Sequence, residues 1–572
     1  MGWIMKKNDS ICATVEALGS SGEGIIRHEG VTFFVPSCLP GEKVRFKALK
    51  IKNGIGYGKI EEVLAPAEER VQPKCGAFLR CGGCRLQHVG YSEQLKIKGQ
   101  IVHDCLKKIA GIEWNVPVAV KSDCEYGYRN KLQLPIGVNA DGENVIGFYA
   151  ERSHRIIPID DCAIHPDWAE KLIAVLKSFM RECRVHGYDE VRKTGTLRHI
   201  VAREIAGNFI FTLVVVDKKV AGLDRLIALL QSEFASFSLY LNVNATDTNV
   251  IFGEEFRLLY GPATFEGVEQ GICYEAGPMT FLQVNENVRA KLYRAALKTV
   301  TGEGAEVVID AYSGGGLLTA MIAKKTKRVY GIELEKEAVA CADSLKKKNK
   351  LENMTNICGY VEEKLPEVLA KEKGENVRLI LDPPRAGIAR SVIKALCESG
   401  IPRLTIISCN PATLARDLGL LTGYLIETDG ELKKGDGNGA YEISSIQPYD
   451  MFPQTKHVET LVVLSHKKPD GHININVEFG EEEGQVSLKD IEKRAKEREP
   501  KKKTTYKDIQ AYIEEKCGFK VHTAYIAEVK RDLGLPMYDA PNAVEELKHP
   551  RSHPSAEMVE AIKDALKHFG II

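Results

Sequence analysis

Apolar positions recur along this chain in two periods, and the changeover between them divides it. From Ser10 to about Ala65 the runs are short and alternating or apolar (Ile11 to Val15, Val31 to Val35, Lys43 to Ala48, Gly56 to Val63). Turn clusters, clearest at Gly19-Ser20-Ser21-Gly22 and Pro40-Gly41-Glu42, separate them. This pattern predicts an N-terminal OB-like β-barrel. Leu95, Ile101, Cys105, Leu106 and Ile109, with lysines between them, predict a helix over 92–109. The stretch from Cys124 to Gly267 returns to strand-like runs at Asn144 to Tyr149, Arg198 to Glu204, Asn208 to Val216 and Ser238 to Asn244. Beyond it, strand and helix patterns alternate in the manner of a Rossmann-like α/β sheet. Past His466 the chain turns strongly charged through Lys493 to Lys503. It then shows three helical stretches, Thr505 to Lys516 (opened by a Thr505-x-x-Asp508 capping pattern), Ala524 to Leu533 and Ser555 to Phe569. The fold class is therefore multidomain α/β. The expected boundaries are a barrel at 8–66, a strand-rich central domain at 67–90 and 124–268, and an α/β domain at 91–123 and 269–466. A linker at 467–503 and a helical module at 504–572 follow.

Composition narrows the function classes. Over 572 residues, Lys plus Arg and Asp plus Glu both number 78, so net charge points to neither nucleic acid nor membrane, and any basic surface is local. No apolar run approaches the roughly 18 residues of a membrane helix, and Phe209 to Val216 is strand-sized. The start, Met1 to Lys7, has no apolar signal core, and Lys6 breaks the myristoylation pattern. Fifteen scattered cysteines, an odd number, suggest thiols and metal ligands in place of disulfides. A cytoplasmic enzyme is expected.

Local basic surface is present in the first domain. Lys43, Arg45, Lys47, Lys50 and Lys52 offer cations to phosphates, the first three on one face of an alternating strand. This segment also resembles the TRAM domain, an RNA-binding barrel, through Gly22-Glu23-Gly24 and Val35-Pro36-Ser37-Cys38-Leu39-Pro40-Gly41-Glu42. Tyr128-Arg129-Asn130-Lys131 and Arg198-His199 add charge and hydrogen-bonding groups to the central domain.

Cys75, Cys81 and Cys84 fall within ten residues, and the Gly82-Gly83 pair lets the backbone fold tightly between the last two. With Cys162 as a distant fourth ligand they could hold zinc or an iron–sulfur cluster, and spacing does not choose between them.

The α/β region carries the candidate chemistry. Val307 to Asp310, the turn Ala311-Tyr312-Ser313-Gly314-Gly315-Gly316 and Leu317 to Ala323 read as strand, glycine-rich turn and helix. Val329-Tyr330-Gly331-Ile332-Glu333 follows as a second strand ending in a carboxylate suited to ribose hydroxyls. A dinucleotide enzyme would share these features. A third strand, Leu379-Ile380-Leu381, ending in Asp382-Pro383-Pro384-Arg385 favours S-adenosylmethionine, and Gln283 in Phe281-Leu282-Gln283-Val284-Asn285 is placed to reach it. Cys409, in Ser408-Cys409-Asn410-Pro411, ends the buried run Leu404 to Ile407 and is placed to act as a nucleophile. A cysteine after such a run is ordinarily a packing residue; the neighbouring motifs reverse that reading.

Taken in order, these motifs resemble the RNA uracil-C5 methyltransferase family, specifically its iron–sulfur branch acting on 23S ribosomal RNA. The resemblance runs from Ser10 to His466 and includes Gln87-His88 and Asp450-Met451-Phe452-Pro453-x5-Glu459. It implies a 4Fe–4S cluster on Cys75, Cys81, Cys84 and Cys162, and donor contacts at Gln283, Tyr312, Glu333 and Asp382. It also implies Cys409 as nucleophile and Glu459 as base. His457, two residues before Glu459, is the alternative base and on strand alternation would share its face. Where many relatives carry Cys this chain has Ser313, and where many are polar it has Leu317, which could weaken the donor site. A glycine- and lysine-rich stretch, Gly430 to Gly439, reads as an added surface hairpin. The expected partner is RNA, 23S ribosomal RNA first and tRNA second. An RNA-binding assembly factor with a decayed active site is the reading from another class.

Overall fold

The computed structural model describes residues 6–19, 22–151, 153–302, 305–428, 430–467, 506–533 and 553–569. The chain divides into two compact units, Met1–Gly471 and His472–Ile572. Among the described residues no helix is long and apolar enough to cross a membrane.

The first unit opens with β1 (Ser10–Thr14), β2 (Ala17–Leu18), β3 (Glu23–His28), β4 (Val31–Pro36), β5 (Lys43–Lys52) and β6 (Ile55–Ala65). They form one curled half-barrel sheet in the order β1-β5-β6-β4-β3-β2, with β1 and β2 as its two edges. The expected barrel is thus an open one. Phe33 and Phe46 meet edge to face in its hollow, ring centroids 5.0 Å apart. Gly56 and Gly58 of β6 make room for them; a Cβ would lie 2.4 Å from the Phe33 ring at the first and 2.6 Å from the Phe46 ring at the second. Lys43, Arg45 and Lys47 alternate with buried Val44, Phe46 and Ala48 and so share the outer face.

Helix α1 (Tyr91–Cys105) runs on into a π turn, Leu106–Ala110, closed by Gly111 at φ 72°. The central sheet follows, built of β7 (Lys131–Val138), β8 (Asn144–Tyr149), β9 (Ile156–Pro158), β10 (Leu197–Ile205), β11 (Asn208–Val215), β12 (Phe237–Val243) and β13 (Glu255–Tyr260). Its order is β13-β12-β11-β10-β7-β8-β9. Helices α2 (Trp168–Cys183) and α3 (Leu223–Glu233) cover one face through Leu172, Leu176, Phe179, Leu226 and Leu230. A hairpin, β14 (Phe265–Glu269) and β15 (Ile272–Ala276), leads to α4 (Glu286–Val300).

The second large sheet comprises β16 (Val307–Ala311), β17 (Arg328–Glu333), β18 (Met354–Cys358), β19 (Val377–Leu381), β20 (Arg403–Ser408), β23 (Tyr441–Tyr449) and β24 (Glu459–His466). Between β16 and β20 come α5 (Leu317–Ala323), α6 (Lys336–Lys348), α7 (Val361–Lys371) and α8 (Arg390–Ser399). After β20 come α9 (Pro411–Thr422) and a hairpin of β21 (Leu425–Thr428) and β22 (Glu431–Lys434). The sheet order is β18-β17-β16-β19-β20-β24-β23, the first five strands parallel and β24 antiparallel to β20. Strand alternation sorts its two cores. Val307, Ile309 and Ala311 pack with α1, α7, α8 and α9, whereas Val308 packs with α4, α5 and α6. The expected surface hairpin is present, begins at Leu425, and has a fully exposed second strand.

In the second unit α10 (Tyr506–Cys517), α11 (Thr523–Asp532) and α12 (Ala556–His568) enclose a small core of Ile509, Ile513, Ile526, Val529, Ile562 and Leu566. Ser555 caps α12, accepting from the Met558 N–H at 3.3 Å. The expected linker at 467–503, past Lys467, and the Thr505 cap lie outside the described residues.

Candidate active site

In a sheet of this topology the chain runs from β16 outward through β17 and β18, then returns to β19 on the other side. A crevice must open at that switch point, beyond the carboxyl ends of the strands. Every strand-end residue singled out in the sequence lies there. Tyr312 follows β16 in the left-handed region (φ 66°), as do Gly314 and Gly316 (54° and 78°). At Gly316 a Cβ would come within 2.7 Å of Ala342 on α6, so only glycine seats the turn this closely. Glu333 ends β17 and ties the two turns together. Its Oε2 accepts from the Gly314 N–H at 2.8 Å, and its Oε1 from the N–H groups of Leu334 and Glu335 at 2.7 and 3.0 Å. Leu317 is buried in the core beneath this turn, and the Ser313 N–H donates to Ile332 O at 3.0 Å.

Asp382 follows β19, and burial pushes its carboxyl up to about 7. Asp310, beneath it at the end of β16, is also raised to about 7 by burial, although Thr319 Oγ1 donates to it at 2.6 Å. Gln283 is buried in the segment leading into α4. That segment is anchored by Asn285, which accepts from the Val288 N–H at 3.3 Å and donates to Ser122 Oγ at 3.1 Å.

Register brings the candidate nucleophile and the candidate base together. Ser408 and Thr460 form the last pair of β20 and β24, so Cys409 and Glu459 continue it side by side. Cys409 is half-buried. Its thiol is raised by burial and then by Glu459, with Arg385 opposing. Glu459 is 2 % exposed, and its carboxyl is pushed up to about 8, first by burial and then by Asp382. Asn410 caps α9 by accepting from the Ala412 N–H at 3.1 Å and donates to Arg385 O at 3.0 Å, which joins the two motif loops. His457 behaves otherwise: β24 begins at Glu459, so strand alternation does not reach it, and its side chain is exposed against Phe452.

One ion pair was not read from the sequence. Lys98 on α1 and Asp450 are both fully buried and pair with each other, and Lys98 Nζ also donates to Phe452 O at 2.9 Å. Gln94 and Gln454 bond reciprocally nearby, and Tyr128 Oη donates to Pro453 O at 3.0 Å. These contacts hold the loop that delivers Glu459. The signal for Lys98 was its place three and four residues before Ile101 and Val102, on the buried stripe of α1.

A family model described as tRNA (Uracil-5-)-methyltransferase matches residues 91–467, which span α1 and the whole of this site. The chain belongs to that family. It is an RNA methyltransferase of the uracil-C5 kind. An uncharacterized RNA methyltransferase of Clostridium acetobutylicum is 37% identical over 466 residues, 80% of this chain and 98% of that protein. One from Halalkalibacterium halodurans is 35% identical over 467 residues, 81% and 98% of the two chains. Among solved structures, the Pyrococcus abyssi tRNA (uracil-54, C5)-methyltransferase in complex with S-adenosyl-L-homocysteine superposes with a TM-score of 0.63 at 25% identity. That match covers 79% of this chain and 99% of the other.

Outside the methyltransferase sheet, Cys75, Cys81 and Cys162 pack at the edge of the central core, and Cys84 lies near enough for the charges of Cys81 and Cys75 to act on it. Burial pushes Cys84 up to about 11, helped by Cys81 and Cys75, and Cys162 up to about 12, helped by all three others. Burial first, and the neighbouring cysteines second, hold Cys84 and Cys162 against ionisation. The Cys75 N–H donates to Gln87 Oε1 at 3.1 Å, and Gly82 N–H to Tyr149 O at 3.2 Å, which fixes the loop. Among the described residues no group of three or more His, Cys, Asp or Glu side chains is placed to hold a metal ion.

Proposed function

We propose that this enzyme methylates C5 of a uridine in ribosomal RNA through a covalent Cys409 adduct. The observation that carries the chemistry is the placing of Cys409 and Glu459 just past the last β20–β24 pair, Ser408 and Thr460, with the Glu459 charge acting on the thiol, at the rim where Asp382 follows its strand. Bound S-adenosylmethionine supplies an electrophilic sulfonium methyl; Tyr312, Glu333, Asp382 and Gln283 are the residues that hold it. Uracil C5 is weakly nucleophilic, so the Cys409 thiolate adds to C6 and converts the ring to an enolate. C5 then takes the methyl carbon as its bond to the sulfonium sulfur breaks, leaving S-adenosylhomocysteine; Glu459 removes the C5 proton, and departure of the thiolate restores the C5–C6 double bond. A stacked base cannot reach a thiol at the foot of this crevice, so the uridine is flipped out. Glu459 holds its proton in the free protein. A sulfonium cation at this rim favours the ionised carboxylate, so donor binding readies the base.

The four central cysteines are proposed to hold a 4Fe–4S cluster. When bound it would take the four thiolates as ligands and tie the 75–84 loop to Cys162, a structural role outside the transfer itself. The outer face of the half-barrel, with Lys43, Arg45 and Lys47, is proposed as the TRAM-like RNA surface. Ribosomal RNA is the substrate favoured by the resemblance of the cysteine motif and the barrel together. The likeness to the Pyrococcus abyssi tRNA enzyme favours the second reading, tRNA.

One experiment separates these. The protein is mixed with S-adenosylmethionine and 5-fluorouridine-substituted ribosomal RNA or tRNA, then run on a denaturing gel. Fluorine cannot leave as a proton, so the expected result is a stalled protein–RNA adduct on ribosomal RNA that Cys409→Ala abolishes. An adduct on tRNA alone overturns the substrate assignment. Full methylation by Cys409→Ala overturns the mechanism.

A further inference from the structure

Buried cations in this fold are paired where their role is to hold it together. Lys98 meets Asp450, Arg289 meets Glu269 (Nε to Oε2, 3.1 Å), and Arg198 donates to the carbonyls of Asn244 and Thr246 at 2.9 and 2.7 Å. Two others break that rule. Lys131 of β7 stands directly opposite Arg203 of β10, so both side chains rise on one face of the central sheet. Leu132 and Ala202, their sequence neighbours, point the other way into the central core. Ile205 and Ile210, on the Arg203 face, pack in the core of the methyltransferase helices. The Arg203 side chain therefore lies toward Tyr274 of β15 and Arg289 of α4, whose charges act on it.

Arg203 is only 4 % exposed, and its Nη1 is buried with no partner. The charges acting on Lys131 are Arg203 and Arg129, both positive; burial and these two push its ammonium down to about 8. Arg203 is lowered to about 10 by burial and then by Arg289. Arg129 spends its Nε on Lys131 O at 3.1 Å. Three cations crowded without an acid are unfavourable in the free protein. They become favourable when an anion enters between them. The next residue on this face of β7, Gln133, is exposed, so the face is open to solvent there.

The location specifies the anion. Residues 128–131 are bonded to both catalytic segments: Tyr128 Oη to Pro453 O, on the way to Glu459, and Asn130 N–H to Val284 O at 3.0 Å, beside Gln283. We propose that Lys131 and Arg203, with Arg129, form the receptor for a phosphodiester of the RNA strand adjoining the uridine in the active site. An arginine fork and a lysine point charge suit a tetrahedral anion. The proposal rests on the RNA-methylation reading above.

The test uses the full-length protein, as wild type, Lys131→Gln and Arg203→Met. RNA affinity is measured across a KCl series with whichever RNA the wild type modifies, alongside S-adenosylhomocysteine affinity and melting temperature. Lys131→Gln is expected to weaken RNA binding by about tenfold at low salt and to reduce the slope of log K against log salt by about 0.7, one phosphate's share on a single strand. Homocysteine-nucleoside affinity stays the same, and the melting temperature without RNA stays level or rises because a like-charge contact is gone. Arg203→Met repeats the slope change. Added inorganic phosphate weakens wild-type RNA binding more than that of Lys131→Gln. An unchanged salt slope with a lowered melting temperature would make the cations structural and sink the proposal. Loss of S-adenosylhomocysteine affinity in Lys131→Gln would reassign the anion to the donor's carboxylate. Inorganic phosphate that raises the melting temperature without competing with RNA would make it a free-anion site. A wild type that binds no RNA overturns the methylation reading itself, a result distinct from all of these.

Discussion

Glu459 opposes ionisation of the Cys409 thiol beside it, and both groups are raised by burial in the same rim. The proposed reaction needs each of them without its proton. In the free enzyme the carboxyl lies at about 8. The expected outcome is that kcat/KM, which reports the free enzyme, falls away at neutral and acidic pH, climbs through about 8 as Glu459 ionises, and goes on climbing above that as the raised thiol ionises. Glu459→Gln removes the base but leaves the nucleophile. It should accumulate a methylated Cys409–RNA adduct on ordinary uridine RNA, visible on a denaturing gel without fluorine. A flat pH profile with no adduct would exclude Glu459 as the base.

The same shifts act on stability, with a definite sign. Asp310, Asp382 and Glu459 bind protons more tightly folded (about 7, 7 and 8) than at their ordinary values of 3.8, 3.8 and 4.5. A raised carboxyl contributes stability below its unfolded value and loses it as pH rises through the folded one. The donor-free protein should therefore melt at a higher temperature at pH 5 than at pH 8. Asp382→Asn and Glu459→Gln should each flatten the dependence. Calorimetry over that window checks it, and a melting temperature that rises from pH 5 to 8 in wild type would contradict it.

Strand alternation and glycine-marked turns carried most of the methyltransferase sheet, because β16, β17, β19 and β20 are buried on both faces along most of their length and so are mainly apolar. Their ends were legible for the same reason: Asp382, Glu333 and Cys409 interrupt runs that could not otherwise contain them. What a linear pattern could not convey was pairing across distance. Lys98 looked like one lysine among several on α1, and its need for Asp450 shows only once the 450–458 loop is laid over that helix. The reach of β24 was hidden similarly, and with it the exclusion of His457 from the strand. The curled sheet at the N-terminus was read as an OB-like barrel, and the sequence carries no sign that edge strands β1 and β2 stay unpaired.

Breaking the buried Lys98–Asp450 pair from one side should be costly. Asp450→Ala leaves an ammonium without a counter-charge in a fully buried site and is expected to cost about 3–5 kcal/mol. Because that pair anchors the loop before Glu459, residual activity should drop as well. The combined Lys98→Met and Asp450→Leu substitution removes both charges and should restore most of the denaturation midpoint. If the single and double variants were equally destabilised, the pair would matter through packing alone.

The cysteine group gives a prediction independent of the reaction. Anaerobically purified protein should contain about four iron and four sulfide per chain, the composition of a 4Fe–4S cluster. Cys84→Ser and Cys162→Ser, which remove one ligand from each side of the junction, should lose the iron chromophore. Both variants should keep their affinity for S-adenosylhomocysteine, since Tyr312, Glu333 and Asp382 stand on other strands. Their RNA binding should weaken, because the 75–84 loop then loses its tie to Cys162. Zinc without iron or sulfide in the anaerobic preparation would replace the cluster with a single-ion site. Equal RNA affinity in wild type and Cys84→Ser would remove any positioning role for the bound group.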